Sequence, residues 1–87
     1  MKAGALVARN IRRLRVARGL SQEALAVDAE IDRTYVSRLE RGLENPTVAV
    51  LERLAGALSP NIEKLFKVPR AGEPAPRSLK GGRRPKR

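Results

Sequence analysis

Apolar residues recur at helical spacing from the start of the chain to Phe66, and the residues between the periodic stretches are ones that start or stop helices. Val7, Ile11 and Leu14 share one face at i, i+4 and i+7, while Arg9, Arg12, Arg13 and Arg18 occupy the others. Gly19 then supplies a left-handed stop. Ser21 is placed to cap a second helix, with Glu23 complementing the dipole in its first turn and Leu20 stapling onto Leu25, and this helix is expected to run to about Asp28. After a turn at residues 29–31 the device repeats: Asp32 is the N-cap of a third helix, Ile31 and Val36 form its staple, and Gly42 ends it. Thr47 caps a fourth helix after the Asn45-Pro46 turn, and Val50, Leu51, Leu54, Ala55 and Leu58 give it a broad face that must be buried. Asn61 caps a last short helix carrying Ile62, Leu65 and Phe66. The pattern predicts an all-α domain of five short helices over residues 1–67.

Beyond Val68 the character changes. Pro69, Pro74, Pro76 and Pro85 with Gly72, Gly81 and Gly82 punctuate a segment whose only bulky apolar residue is Leu79, so residues 68–87 read as a flexible basic tail. Charge sharpens that boundary. The formal net charge is +10, with 12 Lys and Arg against 8 Asp and Glu over residues 1–67, and 7 against 1 over residues 68–87. Such an excess attracts polyanions and releases counterions from nucleic acid on contact.

An 87-residue chain is one domain at most and buries only about 60–65 % of its unfolded surface, which leaves no room for a deep substrate pocket. Cysteine, tryptophan and histidine are absent, and one Phe and one Tyr are the only aromatics. Neither disulfides nor a platform of stacked rings for single-stranded nucleic acid can be built from this set. The chain also lacks a metal-ligand cluster, a glycine-rich phosphate loop and a carboxylate pair in an evident cavity, so no enzymatic activity, metal or cofactor is expected. Charged residues interrupt every apolar stretch, and Arg9, Arg12 and Arg13 cut the N-terminal one too short for a signal-peptide core. The expectation is a cytoplasmic protein with no membrane partner, associated with the nucleoid whenever it is bound to nucleic acid.

The second and third helices are joined by a turn so short that they must pack closely, with small Ala26 at the approach and Ile31, Val36 and Leu39 directed inward. This is helix-turn-helix spacing. The stretch Leu20-Ser-Gln-Glu-Ala-Leu-Ala through Asp32-Arg-Thr-Tyr-Val-Ser-Arg-Leu-Glu-Arg-Gly42 resembles the lambdoid phage repressors, Cro proteins and the xenobiotic-response-element-like regulators of bacteria. The resemblance covers roughly Leu6 to Phe66, including Ile11-Arg-Arg-Leu-Arg15, Asn45-Pro46-Thr47 and the closing Leu65-Phe66. Small regulators such as restriction-modification controller proteins share the compact plan and a similar Asp-Arg-Thr-Tyr segment. One position departs from the pattern: the turn between the paired helices usually carries glycine, and here it carries Glu30. A non-glycine residue in the left-handed region costs about 1 kcal/mol, so either Glu30 takes positive φ or the turn is remodelled.

The resemblance implies a lambda-repressor-like fold and a third helix lying in the major groove of a palindromic double-stranded operator, reading base edges with Arg33, Thr34 and Arg38, with Ser37 close by. The chemistry agrees. Arginine donates two parallel hydrogen bonds to guanine O6 and N7, and the threonine methyl touches that of thymine, discriminations worth roughly 1–3 kcal/mol each. Tyr35 is set either with its hydroxyl on a phosphate or packed against a neighbouring helix. Gln22 matches a position that contacts DNA near the backbone, and Arg41, Leu43 and Asn45 either bring donors to phosphate or form a plain connecting loop. Arg15 and Glu40 correspond to a mostly buried ion pair. Leu65 and Phe66, with part of the fourth helix, resemble a dimer surface, and a two-fold pair would present two recognition helices about 34 Å apart, one turn of DNA.

In the tail, Arg77, Lys80, Arg83, Arg84, Lys86 and Arg87 either add attraction to phosphate irrespective of sequence or only keep the chain in solution. The functional expectation is a homodimeric, sequence-specific regulator of transcription, acting as an autoregulatory repressor or controller, with contact to RNA polymerase left open. The alternative is an antitoxin-like module that binds DNA through its helical domain and a protein through its tail. That tail lacks the apolar anchors such recognition uses.

Overall fold

The computed structural model describes residues 2–58 and 61–76, and over them the chain is all-helical. Four α-helices, α1 (Ala3–Ala17), α2 (Gln22–Ala29), α3 (Arg33–Glu40) and α4 (Val48–Leu58), precede a single 3-10 turn at Ile62–Phe66. Side-chain oxygens start the helices where the sequence supplies them: Ser21 Oγ accepts the Ala24 amide at 3.0 Å, Asp32 Oδ1 that of Thr34 at 2.6 Å, and Thr47 Oγ1 that of Val50 at 3.1 Å.

Three helix ends close by one and the same hydrogen-bond pattern. The amides of Leu20, Ile31 and Leu43 reach back to the carbonyls of Arg15, Ala26 and Arg38 at 3.0, 2.9 and 2.9 Å, each across a residue in the left-handed region. Those residues are Gly19 (φ 71°), Glu30 (φ 58°) and Gly42 (φ 77°). The turn around Glu30 is therefore not remodelled; the glutamate adopts the conformation that glycine takes at the other two sites.

The fifth helix expected from the pattern is one turn of 3-10 helix. Asn61 Oδ1 accepts the Glu63 amide at 3.3 Å, but Pro69 lacks an amide hydrogen and bars its neighbour Val68 from the helical region, so the turn has nowhere to extend. Its carbonyls are satisfied from α1 instead: Asn10 Nδ2 donates to Leu65 O at 2.9 Å and to Lys67 O at 2.8 Å.

Helix α1 packs on α3, α4 and the 3-10 turn, and α2 packs on α3 and α4. Val7 and Ile11 from α1, Leu25, Ala26 and Ala29 from α2, Val36 and Leu39 from α3, Leu51, Leu54, Ala55 and Leu58 from α4 and Leu65 form one buried cluster. Each fully buried Leu or Ile in it stabilises the fold by about 1.5–3 kcal/mol. The staple residues Leu20 and Ile31 pack on its edge. Arg18 Nη1 closes the far end of α4 by donating to Leu58 O at 2.7 Å, where the carbonyls and the helix dipole favour a cation. No helix among the described residues is long and apolar enough to cross a membrane.

Residues 67–76 fold back along α1. Arg9 Nη2 donates to Pro74 O at 2.8 Å, and its Nη1 lies 3.6 Å from Glu73 Oε2. Glu73 in turn accepts the Arg70 amide at 2.9 Å, across a bend at Gly72 with φ 82°. The first part of the segment expected as tail is thus a strap on α1, and Arg77, Lys80, Arg83, Arg84, Lys86 and Arg87 lie outside the described residues.

Candidate nucleic-acid interface

Helix α3 divides its residues cleanly. Val36 and Leu39 point into the core and are 0 % and 1 % exposed, whereas Arg33, Thr34, Arg38 and Arg41 are exposed and Ser37 is half-buried. Positions 33, 34, 37, 38 and 41 follow the helical repeat, so five side chains able to donate hydrogen bonds, three of them arginines, line one outward stripe. The Asp32 cap fixes the start of that stripe.

Behind it sits a polar network that locks α3 to the rest of the fold. Arg15 Nε donates to Glu40 Oε2 at 2.6 Å and Arg15 Nη2 to Glu40 Oε1 at 3.0 Å, with the two side chains only 7 % and 3 % exposed. Arg15 Nη1 also donates to Leu20 O at 2.8 Å. Gln22 joins the network from α2, its Nε2 donating to Glu40 Oε1 at 3.1 Å. The residue expected beside the DNA backbone therefore has its amide nitrogen turned toward the buried carboxylate, and its position at the start of α2 is set by α3.

At the other end of α3, Arg38 Nε donates to Glu44 Oε2 at 2.7 Å, and Arg38 Nη2 reaches Leu43 O at 3.4 Å. Tyr35 is half-buried against the edge of the core, which favours the packed of its two expected settings. Burial first, and the Glu44 carboxylate second, push its phenol above the usual range. Leu43 is 48 % exposed. Asn45 is exposed and lines a groove with Pro46, Leu51 and Phe66.

The two residues expected at a dimer surface part company. Leu65 is 0 % exposed and belongs to this chain's own core, so it is unavailable to a partner; Phe66, 40 % exposed, faces outward. Three polar residues that the sequence reading did not single out are structural or sit on the outward stripe's border: Asn10, Arg18 as the closure of α4, and Glu44. For Asn10 a signal existed, because position 10 falls on the same stripe as Val7, Ile11 and Leu14.

Two short packed helices, the first ending in a left-handed residue and the second exposing a cationic stripe, define a helix-turn-helix protein. Residues 11–65 match the Helix-turn-helix family, and the chain belongs to that family in its lambda-repressor and xenobiotic-response-element branch. Over 53 residues it is 47 % identical to an uncharacterized HTH-type transcriptional regulator of Sinorhizobium fredii, covering 61 % of this chain and 69 % of that protein. The crystal structure of hypothetical transcription factor NHTF from Neisseria superposes with a TM-score of 0.75 at 40 % identity, over 78 % of each chain. The restriction-modification controller protein C.AhdI of Aeromonas hydrophila superposes with a TM-score of 0.70 at 40 % identity, covering 72 % of this chain and 96 % of that one. Against the full-length Neisseria meningitidis relative the chain spans about half, 51 % of its length. The chain is a helix-turn-helix transcriptional regulator of the xenobiotic-response-element or controller type, and these relatives are regulators rather than enzymes.

Proposed function

We propose that this regulator binds a palindromic double-stranded operator as a homodimer, laying α3 in the major groove. The outward stripe of α3 carries the reading: Arg33 and Thr34 stand at its capped N-terminal end, where this family's helix meets base edges, Arg38 continues the base reading one turn on with Ser37 close by, and Arg41 lies toward the phosphates. Tyr35, Gln22 and Asn45 flank the stripe and border the DNA rather than read it. The locked Arg15–Glu40 pair supports the reading by holding the stripe rigid, since a helix that rocked would spread its donors over several base edges.

Dimerisation supplies the second half-site through Phe66 and the adjoining face of α4, and concentration of the protein itself sets operator occupancy, as an autoregulatory controller requires. Titration of the chain by fluorescence anisotropy into duplex DNA from upstream of its own gene, and into a scrambled duplex of equal length, tests this at about 150 mM salt with excess competitor. The expected result is a preference of at least about a thousandfold for the native duplex, lost in Arg33→Ala while the helical signal persists. Equal and steeply salt-dependent binding to both duplexes would overturn sequence-specific recognition.

A further inference from the structure

One carboxylate stands among the cations of the outward stripe. Glu44, in the loop after α3, bonds Arg38 at 2.7 Å, and the two side chains are 28 % and 46 % exposed. An exposed pair of this kind adds little to stability, and a negative charge at this border repels the phosphates that Arg33 and Arg41 attract. Its geometry gives it a different use. A guanidinium has a side edge, Nε with Nη2, and an end edge, Nη1 with Nη2; the side edge of Arg38 is engaged by Glu44 Oε2 and the Leu43 carbonyl. The end edge, the one farthest from Glu44, remains a two-donor fork that can pair with guanine O6 and N7.

We propose that Glu44 is a specificity-determining positioning residue, which grips Arg38 by its side edge so that the end edge is offered to a guanine and is withheld from phosphate. This rests on the reading of α3 as the major-groove element. Two properties cooperate. The carboxylate removes the rotational freedom that a long exposed arginine would otherwise lose on binding, and its charge neutralises Arg38 toward any non-directional partner while leaving directional base hydrogen bonds intact. The Leu43 amide, bonded to Arg38 O at 2.9 Å, ties the loop that carries Glu44 to the helix that carries Arg38, so the pair is held at a fixed offset.

The test uses the full chain and a library of randomised duplexes, selected in parallel with wild type, Arg38→Ala and Glu44→Ala, together with anisotropy on one scrambled duplex over a range of salt. In wild type one guanine position per half-site is expected to depend on Arg38. In Glu44→Ala the preference at that position falls by about tenfold or more. Binding to the scrambled duplex becomes stronger, about threefold or more, and its salt dependence steepens by about one released counterion per protomer as Arg38 turns to phosphate. An unchanged base profile in Glu44→Ala, or an equal loss on selected and scrambled DNA, overturns the role of Glu44 while the major-groove reading stands. If wild type selects no sequence at all, that reading falls and the inference with it.

Discussion

Arg15 and Glu40 face each other through two parallel hydrogen bonds of 2.6 and 3.0 Å, almost wholly removed from solvent, and so join the last turn of α1 to the last residue of α3. The pair does more than bridge two helices. Gln22 donates to the same carboxylate, and Arg15 also donates to Leu20 O, so α1, α2, α3 and the loop before α2 meet at one buried charge cluster. Replacing one member leaves the other ionised without its partner.

Glu40→Ala is accordingly expected to destabilise the domain by about 3–5 kcal/mol, because the stranded guanidinium loses both charge-assisted bonds inside the fold. Thermal unfolding followed by circular dichroism should show a fall of about 12 °C or more. A melting point within a degree or two of wild type would mean that Arg15 finds solvent at no cost, contrary to its 7 % exposure.

Glu30→Gly should act in the opposite direction. Glu30 has φ 58° in a helix closure whose two counterparts use Gly19 and Gly42. Relieving the left-handed strain is worth about 1 kcal/mol, less part of the extra chain entropy that glycine gives the unfolded state. A rise in melting temperature of a few degrees is the expected outcome of the same thermal scan, and no rise would show that the glutamate sits there unstrained.

The contrast between these sites shows what a sequence makes legible. Caps and closures are local: Ser21, Asp32, Thr47, Gly19 and Gly42 act within a few residues of themselves, and their side chains and backbone do in the structure what their positions imply. Partnerships across the fold are not local. The Arg15–Glu40 pair spans 25 residues and the Arg18–Leu58 bond 40, and periodicity carries no information on which surface charges meet. The first was reachable only through family resemblance, and Arg38 with Glu44 not at all, because each reads singly as an exposed charge. Leu65 leaves the expected dimer surface for a third reason, while Phe66 stays exposed. Two adjacent apolar residues point different ways in any helix, and only the register of the 3-10 turn decides that Leu65 enters the core.

Asn10 illustrates a polar residue on an apolar stripe. It is fully buried, and its Nδ2 holds the carbonyls of Leu65 and Lys67 at 2.9 and 2.8 Å. Asn10→Leu keeps the branched shape, adds some volume and leaves both carbonyls without this donor, so it should cost about 2–3 kcal/mol despite being more hydrophobic. Chemical denaturation measures this, and a midpoint at or above wild type would show that the 3-10 turn does not depend on α1 for its hydrogen bonds.

The strap over α1 is expected to respond to acid. The Arg70 amide bonded to the Glu73 carboxylate holds that carboxyl below the usual glutamate range; desolvation opposes it, and the nearby charges of Arg9, Lys67 and Arg70 add to the lowering. A lowered folded-state pKa means that the contribution is present above the unfolded value and is lost as pH falls through the folded one. An NMR titration should therefore place the Glu73 midpoint below that of an ordinary glutamate. The Arg9 and Pro74 contacts should loosen over the same acid range, and Glu73→Gln should show the loosened strap at neutral pH.

Phe66 decides whether the outward face of the 3-10 turn is an interface. A phenylalanine 40 % exposed at the rim of a groove shared with Val7, Pro46 and Leu51 exposes apolar surface that a monomer gains nothing from showing to water. Val68, two residues beyond it, and Val48, at the start of α4, are exposed apolar residues as well. Phe66→Ser removes this anchor without touching the buried Leu65, and the melting temperature of the monomer should change little. Sedimentation velocity should then show a dimer dissociation constant raised by about tenfold or more, since one buried aromatic anchor is worth upward of 1.4 kcal/mol. Operator affinity should fall with it at protein concentrations below the new constant and recover above it, because the contacts of each α3 with DNA are untouched. Unchanged self-association in Phe66→Ser would move the interface elsewhere, and operator binding that weakens without any loss of the dimer would make Phe66 a support of α1 and the α3 to α4 loop instead.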